Sequence, residues 1–315
     1  MVEWLGLLMT SSLSPIIVTG CRRSGTTLLN TILERHPDLL VHPNEPQFFL
    51  ELFQMFGKQI TNLDQAITHV TEHPYCSEAI TKEGLSRTFP GVSAVSLQEF
   101  AQIYLQIWGG QGMEKTRPVI KHPALILYLD LVFYLFPGAK IIHLVRNPHA
   151  NISSQRIRWP SASLWECIGW WRDAARAGHE LFQNQPEICF ELSYENLVNN
   201  PEEQLHRLCD FLDIPFSEKL LDFDLQKRIY SPGEEKTGNP MYEEPLKKDA
   251  WKQALSPVEV ALIERECNGE MAWWGYDAYN PKVSTTKLVG RTIGERLLFL
   301  IKTAVRRVKR TDWRG

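Results

Sequence analysis

A glycine-rich segment near the amino terminus, VTGCRRSGTTLLNTILERHP, has the residue types of an anion-binding loop. Gly20 and Gly25 have the spacing of the two glycines in a G-x-x-x-x-G-K-[ST] phosphate loop, whose lysine reaches the outer phosphates of ATP or GTP. Thr26 stands at the lysine position, however, and Arg22 and Arg23 lie within the loop. The segment therefore predicts an anion site that lacks the usual lysine.

The chemistry available to this loop is hydrogen bonding to an anion. Backbone N–H groups of a glycine loop that opens a helix point at a bound anion, and the helix dipole strengthens the attraction. Thr26 and Thr27 add hydroxyl groups, and Arg23 adds a permanently charged planar fork. The alternative is an ordinary strand-to-helix turn with its arginines in solvent. The flanking strand and helix patterns favour the anion site.

Magnesium-dependent hydrolysis of a nucleoside triphosphate is disfavoured by the ends of the apolar runs. Such enzymes hold the metal with the loop Ser/Thr and with an acidic residue that follows an apolar strand. No apolar run here ends in Asp, and the candidate strand IIHLVR ends at Arg146. The pattern favours a ligand with less outer charge than ATP and predicts no metal.

Strand-like and helix-like segments alternate along the chain. Short apolar runs predict strands at 15–20, 117–123, 139–148 and 187–197. Helical spacing predicts helices at about 26–35, 97–107, 124–136, 162–184 and 256–268, with another beginning at Pro201. This alternation predicts an α/β fold with a parallel β-sheet flanked by helices on both faces. A stretch rich in Gly, Pro and charge, 231–245, is interpreted as a long functional loop.

The order of these motifs resembles that of the sulfotransferases that use 3′-phosphoadenosine 5′-phosphosulfate (PAPS). In that family an R-S-G-T-T loop binds the 5′-phosphosulfate, and a strand-ending arginine with a serine eight residues later binds the 3′-phosphate. Arg146 and Ser154 fit this spacing, and Arg158 fits a further basic position; the alternative for both arginines is a solvated helix face. The resemblance implies a P-loop, nucleoside-kinase-like three-layer fold and PAPS as co-substrate without a metal. The loop residues that it assigns to the donor are Arg22, Arg23, Ser24, Gly25, Thr26 and Thr27.

The resemblance also implies catalytic residues. HPDLLVHPNEPQFF resembles the segment that carries the catalytic base, with Glu45 at the acid position, and VIKHP resembles the segment that supplies a catalytic lysine, Lys121. Glu45 would take the acceptor proton, while Arg23 and Lys121 would hold the charge that develops on the sulfuryl group and the bridging oxygen. The structural alternatives are an N-cap acid before Pro46 and an exposed lysine on an edge strand.

Further resemblance extends over about residues 15–281. Tyr194 resembles a position near the nucleotide, with a core tyrosine at a strand end as the alternative, and Lys236 is assigned to the donor from the 231–245 loop. The motif order is closest to the protein-tyrosine sulfotransferases and their bacterial relatives. Pro46 after Glu45 instead matches the carbohydrate-type enzymes, so the acceptor stays open among carbohydrate, lipid, phenol and peptide tyrosine.

Composition and cysteine spacing indicate an ordinary folded protein. The 315 residues are 43% hydrophobic and 23% charged, and the net charge of −3 predicts no affinity for nucleic acid. The six cysteines form no C-x-x-C pair, so free thiols in a reducing, cytoplasmic setting are expected. The apolar start lacks a basic region and is interpreted as a leader to the first strand, and no run has the length of a membrane span.

The chain divides into a sulfotransferase-like domain over 1–282 and a basic tail over 283–315. The tail holds nine Lys/Arg and two Asp/Glu, a net charge of +7, which leaves −10 for the rest. Apolar residues recur at helical spacing from Lys287 to Arg310, which predicts a basic amphipathic helix. Three placements fit this helix: docking on the acidic body of its own domain, contact with a partner, or peripheral contact with an anionic membrane.

The resemblance thus implies an enzyme that moves a sulfuryl group from PAPS to an acceptor hydroxyl. Two other classes fit the glycine loop. A metal-dependent P-loop kinase of a small molecule would require ATP and magnesium, and a catalytically inactive nucleotide-binding membrane adaptor would not need Glu45.

Overall fold

A parallel β-sheet forms the centre of the structure, a computed structural model that describes residues 13–110, 117–223 and 249–311, with side chains to residue 303. The strands are β1 (Ile16–Gly20), β2 (Leu39–Val41), β3 (Gln59–Ile60), β4 (Val95–Ser96), β5 (Arg117–Lys121), β6 (Lys140–Val145) and β7 (Cys189–Ser193). Five of them pair in parallel in the order β2-β5-β1-β6-β7, so β1 is the middle strand. β3 and β4 form a separate antiparallel pair.

Helices fill the connections between the strands. Those before β5 are α1 (Thr26–Leu33), α2 (Phe48–Phe56), α3 (Leu63–Thr71), α4 (Lys82–Thr88) and α5 (Leu97–Gly109). Those between β5 and β7 are a 3-10 turn (Pro123–Leu127), α6 (Leu129–Leu135), α7 (Pro148–Arg158) and α8 (Leu164–Asn184). After β7 come α9 (Tyr194–Asn199), α10 (Pro201–Leu212), a 3-10 turn (Glu218–Leu221), α11 (Trp251–Ala254), α12 (Pro257–Trp273) and α13 (Thr285–Thr311).

Alternate residues of β1 enter different hydrophobic cores, as the pleat of a strand requires. Ile17 joins a cluster on one face of the sheet that includes Phe48 of α2. Ile16 and Val18 join a second cluster on the other face, which includes Leu29 of α1. Because both faces of the sheet are covered, β1 is apolar at successive positions, and the predicted three-layer α/β fold is confirmed.

Local sequence signals define where α7 and α8 begin. Ser163 and Glu166 form a reciprocal capping box at the start of α8, in which each side chain accepts from the other residue's backbone N–H. Asn147 caps α7 through bonds from two backbone N–H groups, and Pro148 supplies the fixed φ of the first helical position. The chain direction is therefore set locally at the end of β6.

The predicted segments agree with the structure except in two places. The strand expected over 187–197 ends at Ser193, and α9 begins at Tyr194. The helix expected at 124–136 is interrupted, because Tyr128 has a non-helical φ of −133° between the 3-10 turn and α6. The sequence analysis did not predict β2, β3, β4 or the helices α2, α3, α4, α7, α9 and α11. The predicted leader up to residue 12 and the 231–245 loop, with Lys236, lie outside the described residues.

The cysteines are all free thiols, in agreement with the sequence prediction. Among the residues that the structure describes, no helix combines the length and the apolar character needed to cross a bilayer. The predicted division at residue 282 stays a prediction, although α13 does contact α8 and α12.

Two glycines of α8 provide a matched test of packing against the sheet. A Cβ at Gly178 would lie 2.1 Å from Nδ1 of His143, a fully buried ring on β6, whereas a Cβ at Gly169 meets nothing within 4 Å. We expect Gly178→Ala to lower the free energy of unfolding by about 1–3 kcal/mol through overpacking. Gly169→Ala should instead raise it by up to about 1 kcal/mol, because alanine favours the helix. Urea unfolding measures the free energy of unfolding of both variants, and equal unfolding midpoints for the two would contradict this prediction.

Candidate active site

The site lies where three neighbouring parallel strands end. β1 runs into the glycine loop at Gly20, β5 ends at Lys121, and Arg146 follows the last residue of β6. In the parallel register Val18 pairs with Lys121 and Gly20 pairs with Leu144. Because carboxyl ends of parallel strands share one edge of the sheet, three segments far apart in sequence deliver their side chains to one place.

The two glycines of the loop are required by close backbone approach. A Cβ at Gly20 would lie 2.2 Å from the carbonyl oxygen of Leu144, and a Cβ at Gly25 would lie 2.5 Å from the ring of Tyr194. Both glycines have positive φ, at 145° and 97°. Gly25 precedes α1, whose first turn receives no side-chain cap from the described residues. The N–H groups of that turn can therefore bind an anion, as the sequence predicts.

Asn151, on α7, holds the loop in shape. Its Nδ2 donates to the carbonyl oxygen of Arg22 and to Oγ of Ser24, each at 3.0 Å, and its Oδ1 accepts from Sγ of Cys21 at 3.6 Å. Ser24 is completely buried, so its hydroxyl supports the loop from inside. Sequence reasoning missed Asn151, since a buried asparagine in a helix has no distinguishing pattern.

Glu45 and Lys121 form an ion pair beside the loop. Lys121 Nζ lies 2.7 Å from Glu45 Oε1 and donates to Oγ1 of Thr27 at 3.0 Å. The lysine side chain is 6% exposed and the carboxylate 23%, so Lys121 is a buried cation and not the exposed edge-strand lysine of the alternative reading. Burial raises the pKa of Glu45, but Lys121, His122 and a hydrogen bond from Gln47 outweigh burial and leave that pKa below its ordinary value. Glu45 is consequently a carboxylate at neutral pH.

Arg146 lies on the other side of the loop. Its Nη1 donates to the carbonyl oxygen of Arg23 at 3.3 Å, and its guanidinium carbon lies 4.5 Å from the centre of the Tyr194 ring. Its buried Nε has no hydrogen-bond partner among the described residues. Trp171 fixes the backbone at this point by donating to the carbonyl oxygen of Arg146 at 2.8 Å. Ser154 accepts from Nε of Arg23 at 3.0 Å, so both residues of the predicted second motif contact the loop.

Two clefts open at this edge of the sheet. The smaller cleft, of about 310 Å³, is lined by the glycine loop, by the Glu45–Lys121 pair, and by Arg158 and Trp159. The larger cleft, of about 970 Å³, is lined by Arg146 and Tyr194 and by residues of α11 and of the segment after α12. Arg158 thus faces a different cleft from Arg146, although the sequence grouped the two. The contact between Arg146 and Arg23 connects the clefts.

Glu195 links two sides of the larger cleft through hydrogen bonds. The sequence analysis did not identify this carboxylate as a site residue. Glu195 accepts from the backbone N–H of Asn147 at 3.1 Å and from the hydroxyl of Tyr276 at 2.8 Å. Burial and the neighbouring Glu195 raise the pKa of Tyr276 well above its ordinary value, so this hydroxyl stays protonated. The sequence signal that could have identified this hydroxyl is the G-Y-x-x-Y motif over 275–279, in which Tyr276 is the first tyrosine.

The acidic groups of the described residues do not form an obvious metal site. No group of three or more His, Cys, Asp or Glu within 13–110, 117–223 and 249–303 is arranged to hold a metal ion. None of the five parallel strands ends in an acidic residue. The absence of a metal requirement stays a prediction.

Comparison with known proteins agrees with this geometry. A sequence model described as the sulfotransferase family matches residues 15–218. An uncharacterized protein of Aquifex aeolicus is 27% identical over 89% of this chain, and a protein-tyrosine sulfotransferase of Drosophila melanogaster is 28% identical over 65%. The matches span 36% and 39% of the lengths of those two proteins.

The fold is likewise that of solved sulfotransferase structures. The sulfotransferase domain of the Synechococcus PCC 7002 olefin synthase superposes with a TM-score of 0.59 and 24% sequence identity, over 85% of this chain and 97% of that domain. The family match covers all five strands of the parallel sheet and the whole of the loop, the ion pair and the Arg146 motif. The chain therefore belongs to the sulfotransferase family.

Proposed function

We propose that this chain transfers a sulfuryl group from PAPS to the hydroxyl group of an acceptor. The observation that carries the proposal is the placement of Arg146 beside the glycine loop. Its Nη1 is held by the carbonyl oxygen of Arg23, while its buried Nε has no partner among the described residues. Arg146 also lines the larger cleft, so its guanidinium group would bind an anionic group of a ligand there through charge-assisted hydrogen bonds.

Two separate anion sites suit PAPS better than ATP. PAPS carries a phosphosulfate at one end of the nucleoside and a phosphate at the ribose 3′ position, whereas ATP carries its charge in one chain of phosphates. The glycine loop would bind the phosphosulfate, and Arg146 would bind the 3′-phosphate. The cleft of about 970 Å³ beside Arg146 has the size of a ligand site and has room for the nucleoside.

The Glu45–Lys121 pair would supply the acid–base chemistry. Glu45 takes the proton of the acceptor hydroxyl as the acceptor oxygen forms its bond to sulfur. The bond between sulfur and the bridging oxygen breaks, and adenosine 3′,5′-bisphosphate leaves with the bonding electrons. Lys121 and Arg23 stabilise the negative charge that develops on the sulfuryl and bridging oxygens. All atoms are accounted for without an oxidant or a reductant.

Donor binding would also make Glu45 a stronger base. Without the donor, Lys121 contacts the carboxylate at 2.7 Å and lowers its pKa. A phosphosulfate in the loop would attract the same ammonium group and weaken that contact. Burial, which raises the pKa of Glu45, would then be opposed less strongly. The carboxylate would accept a proton more readily once the donor is in place.

The other two functional classes make different demands. A P-loop kinase would bind ATP with magnesium in preference to the bisphosphate, and membership of the sulfotransferase family does not favour it. A catalytically inactive adaptor would function unchanged with Glu45→Ala. We keep carbohydrate, lipid, phenol and peptide tyrosine as acceptor candidates, and a cytoplasmic location as part of the proposal.

The donor is tested with three nucleotides: adenosine 3′,5′-bisphosphate, ATP with magnesium, and adenosine 5′-monophosphate, which differs from the bisphosphate only in lacking the 3′-phosphate. We expect the wild-type protein to bind adenosine 3′,5′-bisphosphate without metal, and ATP with magnesium much more weakly. Arg146→Ala should lower the affinity for the bisphosphate at least tenfold, which is a loss of about 1.4 kcal/mol in binding free energy. The same substitution should leave the affinity for adenosine 5′-monophosphate within threefold, because that ligand has no 3′-phosphate. Isothermal titration calorimetry measures all the affinities.

Arg35→Ala is the control for loss of a positive charge, since Arg35 pairs with the exposed Asp222 away from the clefts. Its affinities should equal those of the wild type. If Arg146→Ala lost affinity equally for the bisphosphate and for adenosine 5′-monophosphate, Arg146 would only support the loop. Tighter binding of ATP with magnesium would replace the proposal with the kinase alternative.

The electrostatic effect of Lys121 on Glu45 can be measured without an acceptor. We expect Lys121→Met to raise the pKa of Glu45 above its ordinary value of 4.5, because burial would then dominate. In the wild type the carboxylate should begin to protonate only below that value. A pH titration by NMR, with glutamate labelled with carbon-13, measures the pKa of Glu45 in the wild type and in Lys121→Met. Lys140→Met, which removes the lysine paired with Asp213, should leave the titration unchanged; a shift as large as that of Lys121→Met would show that the effect is not local.

The role of Glu45 as base is tested with radiolabelled PAPS and four acceptors: 4-nitrophenol, dodecanol, lactose and a tyrosine peptide. With whichever acceptor is sulfated, Glu45→Gln should lower kcat by about 10²–10⁴-fold. The affinity for the bisphosphate should stay within threefold, because glutamine keeps the shape of the side chain. A normal kcat in Glu45→Gln would exclude the proposed base.

A further inference from the structure

The C-terminal helix α13 contacts the rest of the protein mainly through its polar side. Thr292 and Glu295 are its buried polar residues. Thr292 accepts from Nη2 of Arg265 at 2.9 Å, and Glu295 accepts from the backbone N–H of Trp165 at 3.3 Å. The residues that anchor this helix are therefore hydrogen-bonding groups.

Ion pairs on the same side of the helix also connect α13 to the rest of the protein. Nη2 of Arg291 lies 3.0 Å from Oε1 of Glu259 on α12. Lys302 lies 3.8 Å from Glu166 on α8 and donates to the carbonyl oxygen of Ser161. Of the apolar residues up to residue 303, Leu288 packs against the neighbouring core. Phe299 is half-buried, and the other apolar residues of α13 up to residue 303 are exposed.

An apolar stripe consequently faces away from the body of the protein. Each of its members lies three or four residues from another member, so they share one face of the helix: Val289, Ile293, Leu297, Leu300 and Ile301. Their exposed fractions lie between 46% at Val289 and 61% at Leu300. A surface helix of a globular protein normally turns such a stripe towards the core. The orientation of α13 is the reverse, and exposed apolar patches of this kind mark interaction surfaces.

The charge of this region indicates what covers the stripe. Residues 283–315 carry +7, while the rest of the chain carries −10. Lys287 and Arg296 are exposed and lie on opposite flanks of the stripe by helical geometry. An apolar stripe flanked by cations matches an anionic bilayer, in which the apolar residues enter the interface and the cations contact the headgroups. A second copy of the same helix would bring like charges together.

We propose that α13 holds the protein on the surface of anionic lipid bilayers through this exposed stripe. The stripe extends over about 18 Å along the helix, the rise of twelve steps from Val289 to Ile301, and lies along the surface. The contact with Ser161 places the helix close to the smaller cleft, because Arg158 and Trp159 of that cleft precede Ser161 by two or three residues. An acceptor hydroxyl presented at the headgroup level of the same bilayer would then lie near the Glu45–Lys121 pair, a consequence that rests on the proposed reaction.

Vesicle flotation with the full chain tests the docking surface and needs no donor or acceptor. The vesicles contain either phosphatidylcholine alone or three parts of it to one part of phosphatidylglycerol. We expect the wild type to float with the mixed vesicles at least tenfold more tightly than with phosphatidylcholine alone. High salt should weaken that binding, because it screens the headgroup charges.

Paired substitutions separate the stripe from other exposed apolar residues. The double variant Ile293→Ser/Leu297→Ser should lose at least tenfold in binding to the mixed vesicles. Met55→Ser/Val92→Ser is the control, since both residues are 43% exposed and lie outside α13; its binding should equal that of the wild type. Lys287→Glu should weaken binding to the mixed vesicles, which are anionic, and should not change binding to vesicles of phosphatidylcholine alone. Unchanged thermal unfolding and bisphosphate affinity in each variant would show that the fold and the donor site are intact.

Several results would overturn the proposal. Failure of the wild type to float with mixed vesicles would do so, as would equal flotation of the wild type and the stripe variant. A dimer in light scattering that the stripe variant abolishes, without vesicle binding, would assign the stripe to a second copy of the chain. Unchanged bisphosphate binding in Arg146→Ala, which would contradict the proposed donor site, would leave all these outcomes unaffected, so the two proposals fail separately.

Discussion

The position of β1 in the middle of the parallel sheet is the constraint on which the site depends. Because β5 and β6 flank β1, the residues at their carboxyl ends must lie on either side of the glycine loop. Lys121 comes from one flank and Arg146 from the other, with the loop between them. No local feature of the loop could place these two cations, which are 25 residues apart in sequence. The sheet order therefore places one cation on each side of the glycine loop, and in the proposed reaction Lys121 would supply the charge that the loop itself lacks.

The pair formed by Glu45 and Lys121 balances two opposing effects. Burial penalises the charged form of the carboxylate, and the buried ammonium group 2.7 Å away favours it. The attraction prevails, but a buried ion pair offsets much of its own Coulomb energy by desolvation. Such a pair is sensitive to any new charge nearby. In the proposed reaction, this sensitivity would let a bound phosphosulfate change the basicity of Glu45, a role that does not require the pair to stabilise the fold.

Sequence reasoning found the parts of the site that have a local pattern. The glycine spacing, the strand before it and the arginine at the end of β6 could all be read directly, and Glu45 and Lys121 were assigned through resemblance. Asn151 could not be found, because its role depends on α7 lying under the loop. Short elements such as β2 and β4 have too few residues to show a period. The orientation of α13 also escaped prediction: periodicity identified an amphipathic helix, but only tertiary partners such as Arg265 and Glu259 decide that its polar side faces inward.

One cysteine differs from the others in a way that has a practical consequence. Five of the six thiols are buried, while Cys76 is partly exposed and follows Tyr75, which lines the smaller cleft. The carbonyl oxygen of Cys76 accepts from Nδ2 of Asn44, another residue of that cleft, at 3.4 Å. Burial raises the pKa of this thiol, so it reacts slowly, yet reagents reach it more easily than the rest. A fluorophore or spin label attached through sulfur would therefore enter at the rim of the cleft without any engineered position, and its signal would report on whatever molecule enters beside Glu45.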